Sequence, residues 1–298
     1  MTNSGHSLRV AVILASTGRP GNLATSIRHL KSQSKPPSAI MLSVVSDKDI
    51  PSSPEILENI QSVMGPKGLP AQRNTGLREL PTGYDIVAFF DDDYVPSHYC
   101  IENIARFFES VPDVVGANGF LIADGINSSG IATEDAELLI SAYDASSVYD
   151  DAIVKDLSGL YGCNMAYRIS AIEDARFDER LKLYGWQEDI DFAAQLLKRG
   201  RIVKTHAFAG VHQGVKGGRT SGFRLGYSQI INPLYLARKG TMKRSYALKI
   251  IIQNILANHA KSMWPEPWVD RIGRVKGNWL GIADALRGRF TPERIEQL

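Results

Sequence analysis

Asp85-Ile-Val-Ala-Phe-Phe-Asp-Asp-Asp93 decides the fold. An unbroken apolar run rich in β-branched and aromatic residues fits a strand buried on both faces, as in a parallel sheet. Here three carboxylates end it abruptly. Upstream, Leu8-Arg-Val-Ala-Val-Ile-Leu14 and Ala39-Ile-Met-Leu-Ser-Val-Val45 read as two more buried strands. Between them, Leu23, Ile27 and Leu30 recur at helical spacing; Ile56, Leu57, Ile60 and Val63 predict a second helix, and Ile101, Ile104, Ala105 and Phe108 a third. Strand alternating with helix argues for an α/β fold, with a Rossmann-like, mostly parallel central sheet flanked by helices. Further along, helices are expected over 134–149 and 189–199, and a strand over 201–211. From Phe223 onward the character is helical and basic.

Composition bounds the setting. The 298 residues are 44% hydrophobic and 22% charged, enough to bury a full core and against disorder. The net charge of +2 conceals an asymmetry: residues 1–218 carry a net of −7 and residues 219–298 a net of +9. Cys100 and Cys163 are the only cysteines, which excludes a disulfide-stapled scaffold and a multi-cysteine zinc site. No apolar stretch precedes Leu8, against a secretory signal, and no run reaches the ~20 apolar residues of a spanning helix. A cytoplasmic protein is the expectation.

Ligands of open parallel sheets bind beyond the carboxyl ends of the strands. Those ends carry Ser16, Thr17 and Arg19, then Asp47, then Asp91–Asp93. Neither a Gly-Lys-Ser/Thr phosphate loop nor a Gly-x-Gly-x-x-Gly turn is present, so phosphate must be handled otherwise. Adjacent carboxylates repel, and a hard divalent ion, Mn²⁺ or Mg²⁺, is their natural partner and can bridge substrate phosphates. In an extended segment Asp91 and Asp93 share a face and Asp92 points elsewhere. A solvated acidic turn capping the next helix is the plainer alternative. Glu188-Asp189, after Gly185-Trp186-Gln187, starts a helix, where capping alone would favour acids. His212 precedes a glycine-rich loop whose Lys216 and Arg219 could meet phosphate charge, and whose four glycines suit a closing lid.

Over roughly residues 8–215 these motifs resemble the family 2 glycosyltransferases, which have a GT-A fold. The resemblance rests on Ala15-Ser-Thr-Gly-Arg-Pro20, Asp47, Gly68-Leu-Pro-Ala-Gln-Arg-Asn-Thr-Gly76, the strand into Asp91–Asp93, Gly162-Cys-Asn-Met-Ala-Tyr-Arg168 and Gly185-Trp-Gln-Glu-Asp-Ile-Asp191. It implies an inverting, metal-dependent transfer of a sugar from a nucleotide diphosphate to an acceptor hydroxyl, in bacterial surface polysaccharide or glycoconjugate synthesis. By the resemblance, Asp91, Asp93 and His212 hold Mn²⁺ or Mg²⁺, and Asp92 faces the donor ribose or sugar. Asp47 recognises the base, Thr17 and Arg19 lie beneath the nucleotide, and Arg73 borders the donor pocket. Asp189 is the base, beside Glu188, and Trp186 flanks the acceptor. Processive relatives carry Gln-x-x-Arg-Trp; no Trp here follows an Arg, so single or limited additions are implied.

The reading divides the chain into a nucleotide-sugar-binding and catalytic domain over 1–215 and a flexible loop plus basic C-terminal helical appendage over 216–298. Leu248, Ile251, Ile252, Ile255 and Leu256 form an amphipathic stripe. Packing on the catalytic domain, or on a second subunit of a homo-oligomer, is the favoured use of that stripe. The alternative is a helix lying on a membrane surface near a lipid-linked acceptor, peripheral at the inner face. Two other functions stay open: a sugar-nucleotidyltransferase, for which Ser16–Asn22 offers only Arg19, and a non-catalytic nucleotide-sugar-binding scaffold. Nucleic-acid binding is not expected, because the basic tail lacks aromatic-interleaved motifs.

Overall fold

The computed structural model describes residues 7–217 and 220–298. Val10–Ala15 (β1), Ala39–Val44 (β2), Gln61–Met64 (β3) and Ile86–Asp91 (β4) form a parallel block in the order β3-β2-β1-β4. Val12, Leu14, Ala88 and Phe90 enter one core cluster, and Ile13, Val87 and Phe89 the other. With both faces covered, these strands carry no hydrophobic alternation. β1 and β4 stay in register through Ala15↔Asp91, which delivers the acidic run to the carboxyl edge of the sheet.

The rest of the sheet is mixed. Asn164–Arg168 (β8) runs antiparallel to β4 and to Val114–Asp124 (β6). Arg201–His212 (β9) lies parallel to β6, while Tyr94–Pro96 (β5) and Ile153–Asp156 (β7) pair with β9 antiparallel. The β6–β9 ladder absorbs three register irregularities and closes with Asp124 opposite His212. On the other side of β9, Tyr94 faces the same histidine.

The flanking helices are Pro20–Lys31 (α1), Pro54–Leu57 (α2), Leu69–Glu79 (α3), Cys100–Ser110 (α4), Thr133–Ser146 (α5), Ile169–Ile172 (α6) and Glu188–Leu196 (α7). The helix expected from Ile56 to Val63 is corrected. α2 has a single turn, Asn59 takes the left-handed conformation at φ 60°, and Gln61–Met64 pairs with β2 from Met41↔Gln61 onward. Backbone pairing with a buried neighbouring strand overrides a spacing compatible with either period. α3 leaves little apolar signal, yet seven consecutive residues from Pro70 to Gly76 are buried.

Gly222–Lys239 (α8), Arg244–Lys261 (α9) and Arg271–Leu286 (α10) complete the chain before a final 3-10 turn. α8 and α10 cross closely, and a Cβ on Gly277 would sit 2.0 Å from the Phe223 carbonyl oxygen. Asn258 of α9 donates to Gln229 and to Asn278, whose own amide donates to the Gly226 carbonyl. These buried amides fix how α9 is rotated, and the stripe expected to pack is split by them. Ile251 is buried with Ala247 and Ile250, whereas Leu248, Ile252 and Leu256 face outward. The helices are fastened to the body beneath α7. Lys239 Nζ reaches Asp178 and Asp191 at 2.7 and 2.8 Å, Thr241 donates to Asp191 at 2.6 Å, and Asn232 donates to the Trp186 carbonyl at 2.8 Å. Among the described residues, no helix is long and apolar enough to cross a membrane.

Candidate active site

At the carboxyl edge of β4, Asp91 and Asp93 turn to one side and meet His212, with one ligand atom from each lying within 4.8 Å of the others. Two carboxylates and an imidazole within that span suit a hard or borderline divalent cation. The sheet builds this cluster: Asp93 precedes β5, whose Tyr94 pairs with His212, and β6 ends at Asp124 on the far side. His212 Nε2 lies 3.4 Å from Asp93 Oδ1, and Nδ1 lies 2.8 Å from Asp124 Oδ1. The Tyr161 hydroxyl stands 3.3 Å from the same Nδ1. Burial opposes charge on the imidazole, but hydrogen bonds to Asp124 and Asp93 outweigh it and push His212 up to about 10. Burial pushes the Asp91 carboxyl up, and Arg73 offsets only part of that. In Asp93 burial is overcome by His212 and by the Val215 N–H, and the carboxyl falls below its ordinary range.

Asp92 faces the opposite way, as alternation along an extended segment requires. Its carboxylate accepts from Ser16 Oγ at 2.6 Å and from Arg19 at 2.9 Å, and its carbonyl accepts from Ser26. Burial pushes its carboxyl up to about 6, with Arg19 and Ser16 pulling against the shift. Asp92 thus ties the loop after β1 to the acidic run. Thr17 donates to Gln72, and Gln72 Nε2 donates to the carbonyls of Ser16 and Ser43, holding the ends of β1 and β2 together. After β2, Asp47 is exposed. The buried acid of that turn is Asp49, which accepts from the Gly18, Ser46 and Val45 amides and sits below its ordinary range because those bonds outweigh burial.

Arg73 joins the two acidic clusters. Fully buried, it donates to Asp91 Oδ1 at 2.9 Å, to the Gly162 carbonyl at 2.9 Å and to Glu188 Oε1. The Gly162 N–H in turn donates to Asp189 Oδ2 at 2.8 Å, while Asp189 Oδ1 accepts from the Ile190 N–H at 2.8 Å. A Cβ on Gly162 would stand 3.2 Å from Asp189 Oδ2 and 3.3 Å from both terminal nitrogens of Arg73. Burial raises the carboxyls of both acids: Glu188 reaches about 8 despite Arg73, and Asp189 rises despite its backbone donors. Glu188 is buried and, among the described residues, its Oε2 has no hydrogen-bond partner, whereas Asp189 is only partly buried. The bend before α7 is tight, with Leu183, Gly185 and Gln187 at positive φ and no room for a Cβ on Gly185 beside Pro70 of α3. Trp186 lies half-buried against Leu181 and Leu236, where the body meets α8.

The segment after β9 crosses over the acidic run. The Gln213 and Val215 amides donate to the Asp93 carbonyl and to Asp93 Oδ2, and Arg19 donates to the Gly217 carbonyl. Lys216, a candidate for phosphate contact, donates to the Gly125 and Ile126 carbonyls. Arg219 lies outside the described residues.

The structure therefore brings Asp91, Asp93, His212, Arg73, Glu188 and Asp189 into one connected cluster, with Arg19, Asp92 and Thr17 beneath it. Sequence reasoning gave no role to Asp124 or Asp49, and quoted Gln72, Asn74 and Gly162 only within motifs, without a role of their own. Ser46-x-x-Asp49 carries a capping-box spacing that points to Asp49. Only the β6–β9 register reveals Asp124.

The model of the Glycosyl transferase family 2 matches residues 11–176, more than half of the chain. The chain belongs to this family. Its α/β sheet with flanking helices is the GT-A architecture of such enzymes. Among solved structures, this glycosyltransferase is similar to S. aureus TarS 1-349, at 14% identity and a TM-score of 0.49, over 95% of this chain and 92% of that one. The same fragment in complex with UDP-GlcNAc matches at 14% identity and a TM-score of 0.49, over 95% and 93%. Against the longer S. aureus TarS the values are 16% and 0.49, over 86% of this chain but 44% of that one. No curated protein matches the chain.

Proposed function

We propose that this glycosyltransferase moves a sugar from a nucleoside diphosphate sugar to an acceptor hydroxyl with inversion at the anomeric carbon. One observation carries the reading: two carboxylate sets meet across Arg73 and Gly162, Asp91/Asp93/His212 on one side and Glu188/Asp189 on the other. Inverting transfer needs a proton acceptor for the incoming hydroxyl and charge neutralisation for the leaving diphosphate, at separate positions. Asp91, Asp93 and His212 would hold Mn²⁺ or Mg²⁺, which when bound supplies Lewis-acid neutralisation of the diphosphate. His212 would ligate through Nε2, since Asp124 engages Nδ1.

Asp189 is assigned as general base. Two backbone donors orient its carboxylate and leave further lone pairs for an acceptor O–H. A base whose pKa is raised by burial holds the proton better at the moment of attack. Glu188 supports it by holding Arg73, and Arg73 positions Asp91. Thr17, Arg19 and Asp92 form the floor of the nucleotide side, with exposed Asp47 reaching the base and Trp186 bordering the acceptor. Residues 1–215 make up the catalytic domain in this reading and 216–298 the helical appendage. Buried free Cys100 and Cys163 suit a reducing, cytoplasmic compartment, with surface glycan or glycoconjugate as the product.

The test is a panel of nucleotide sugars with Mn²⁺ or Mg²⁺, scored for thermal shift, donor hydrolysis and transfer. Asp189→Ala is expected to lose transfer by about 10²–10⁴-fold while keeping the metal-dependent thermal shift, and Asp93→Ala to lose both. Full activity in both variants overturns the roles. Donor binding with neither transfer nor hydrolysis identifies a scaffold, and pyrophosphate-dependent cleavage of the nucleotide sugar to a nucleoside triphosphate and sugar 1-phosphate a nucleotidyltransferase.

A further inference from the structure

The outward face of the C-terminal helices is apolar beyond what a solvated surface needs. On α9, Leu248, Ile252 and Leu256 follow one another at four-residue spacing and are 57%, 46% and 64% exposed. On α10, Ile272, Trp279 and Leu286 recur at seven-residue spacing and are 56%, 59% and 84% exposed. The two lines belong to one surface, because Trp279 Nε1 donates to His259 Nε2 at 3.1 Å, one turn beyond Leu256. Trp264, 79% exposed, caps it from the connection between the helices. Isolated apolar residues on a surface need no explanation, but a contiguous set spanning two helices marks an interaction surface.

We propose that this face docks on an anionic lipid bilayer. The charge around it selects the occupant. From Lys243 to Arg289 the chain carries nine Lys/Arg and three Asp/Glu. Those three acids are already engaged: Glu266 pairs with Lys261 and Arg271, Asp270 caps α10, and Asp284 is buried against Arg294. Lys249 flanks the α9 line, Lys276 the α10 line, and Lys243 the start of α9, all of them exposed. A second copy meeting the same face about a two-fold axis would bring this cation-flanked surface against an identical one, which costs association free energy. Anionic headgroups complement them instead. Leu and Ile are suited to the acyl boundary and Trp to the headgroup level, the arrangement of a helix lying in the interface plane. No described helix can span the bilayer, so the contact is one of lying on the surface.

The inference goes beyond the proposed transfer reaction and is tested without donor or acceptor. The full chain is floated with phosphatidylcholine vesicles with and without phosphatidylglycerol, at low and high salt. Expected is flotation with the phosphatidylglycerol vesicles alone, weakened by salt. Lys249→Gln and Lys276→Gln are each expected to weaken partition about fivefold. Ile252→Glu together with Trp279→Glu is expected to abolish it while leaving the melting temperature unchanged. Three outcomes overturn the proposal: no flotation with phosphatidylglycerol vesicles, equal flotation with neutral vesicles, or a self-associated wild type that the glutamate pair disperses and that binds no vesicle.

Discussion

Asp124 Oδ1 stands 2.8 Å from His212 Nδ1, at the point where β6 and β9 end side by side. The carboxylate engages Nδ1 and leaves Nε2 facing Asp93, 3.4 Å from its Oδ1. A ligand held by such a partner is oriented before the ion arrives and is more basic.

Asp124→Ala should therefore weaken Mn²⁺ binding about 10–100-fold, although Asp124 is not one of the three clustered ligands. Titrating Mn²⁺ against the melting temperature of each protein measures this. Equal affinity in the two would mean that His212 is oriented by its strand alone.

Gly162→Ala tests the junction between the clusters. Its new methyl would press on Asp189 Oδ2 and on Arg73 from 3.2–3.3 Å, so a side chain must yield by a few tenths of an ångström. With Asp189 as the proposed base, transfer should fall about tenfold, mostly in kcat. A pure KM effect would place Gly162 on the donor side.

Glu188 should make stability depend on pH. Its folded carboxyl titrates at about 8, against roughly 4.3 in an unfolded chain. Between those values the folded state keeps a proton that the unfolded state has released, so stability falls as pH rises through the window and levels off above it. Up to about tenfold in the folding equilibrium is lost per pH unit. Wild type should lose ground to Glu188→Gln between about pH 5 and about pH 7.5, as urea denaturation would show. A constant difference would mean that Glu188 is ionised throughout beside Arg73.

Phe192 supports α7 from below, stacked on Phe177 at 3.9 Å and edge-on to Phe89 of β4 and Tyr167 of β8. Phe192→Ala should cost about 3–5 kcal/mol by calorimetry or denaturant titration. Phe192→Leu, which refills part of the volume, should cost less. A loss under about 1 kcal/mol would show that the aromatic cluster is not what fixes the helix carrying Asp189.

The buried strands, the polar end of β1 and the acidic end of β4 were legible because hydrophobic runs broken by polar residues are a local signal. α3 was not, since its buried face is made of Gln72, Arg73 and Asn74, each spending its polar groups on a different segment of chain: the β1/β2 ends, the acidic clusters and the Phe177–Glu179 stretch. No periodicity announces such a helix. Spacing from the strand does not tell which of two nearby acids turns inward; the Gly18, Val45 and Ser46 amides hold Asp49, while Asp47 is exposed. The apolar stripe expected on α9 does not coincide with its buried face, where Asn258 lies with Ala247, Ile250 and Ile251, and a polar residue carries no weight in an apolar pattern.

Asp191 stands two residues beyond Asp189 on α7, fully buried, with its carboxylate held by Lys239 and Thr241 from the far end of α8. Cutting the chain near residue 215 would strip both partners and leave Gln195 Nε2 as the remaining side-chain donor to that carboxylate, on the helix that carries Asp189. The line between domain and appendage is thus a line in the sequence only. Evolution can lengthen, decorate or recharge the outward side of these helices freely, but whatever replaces the end of α8 inherits the duty of neutralising Asp191.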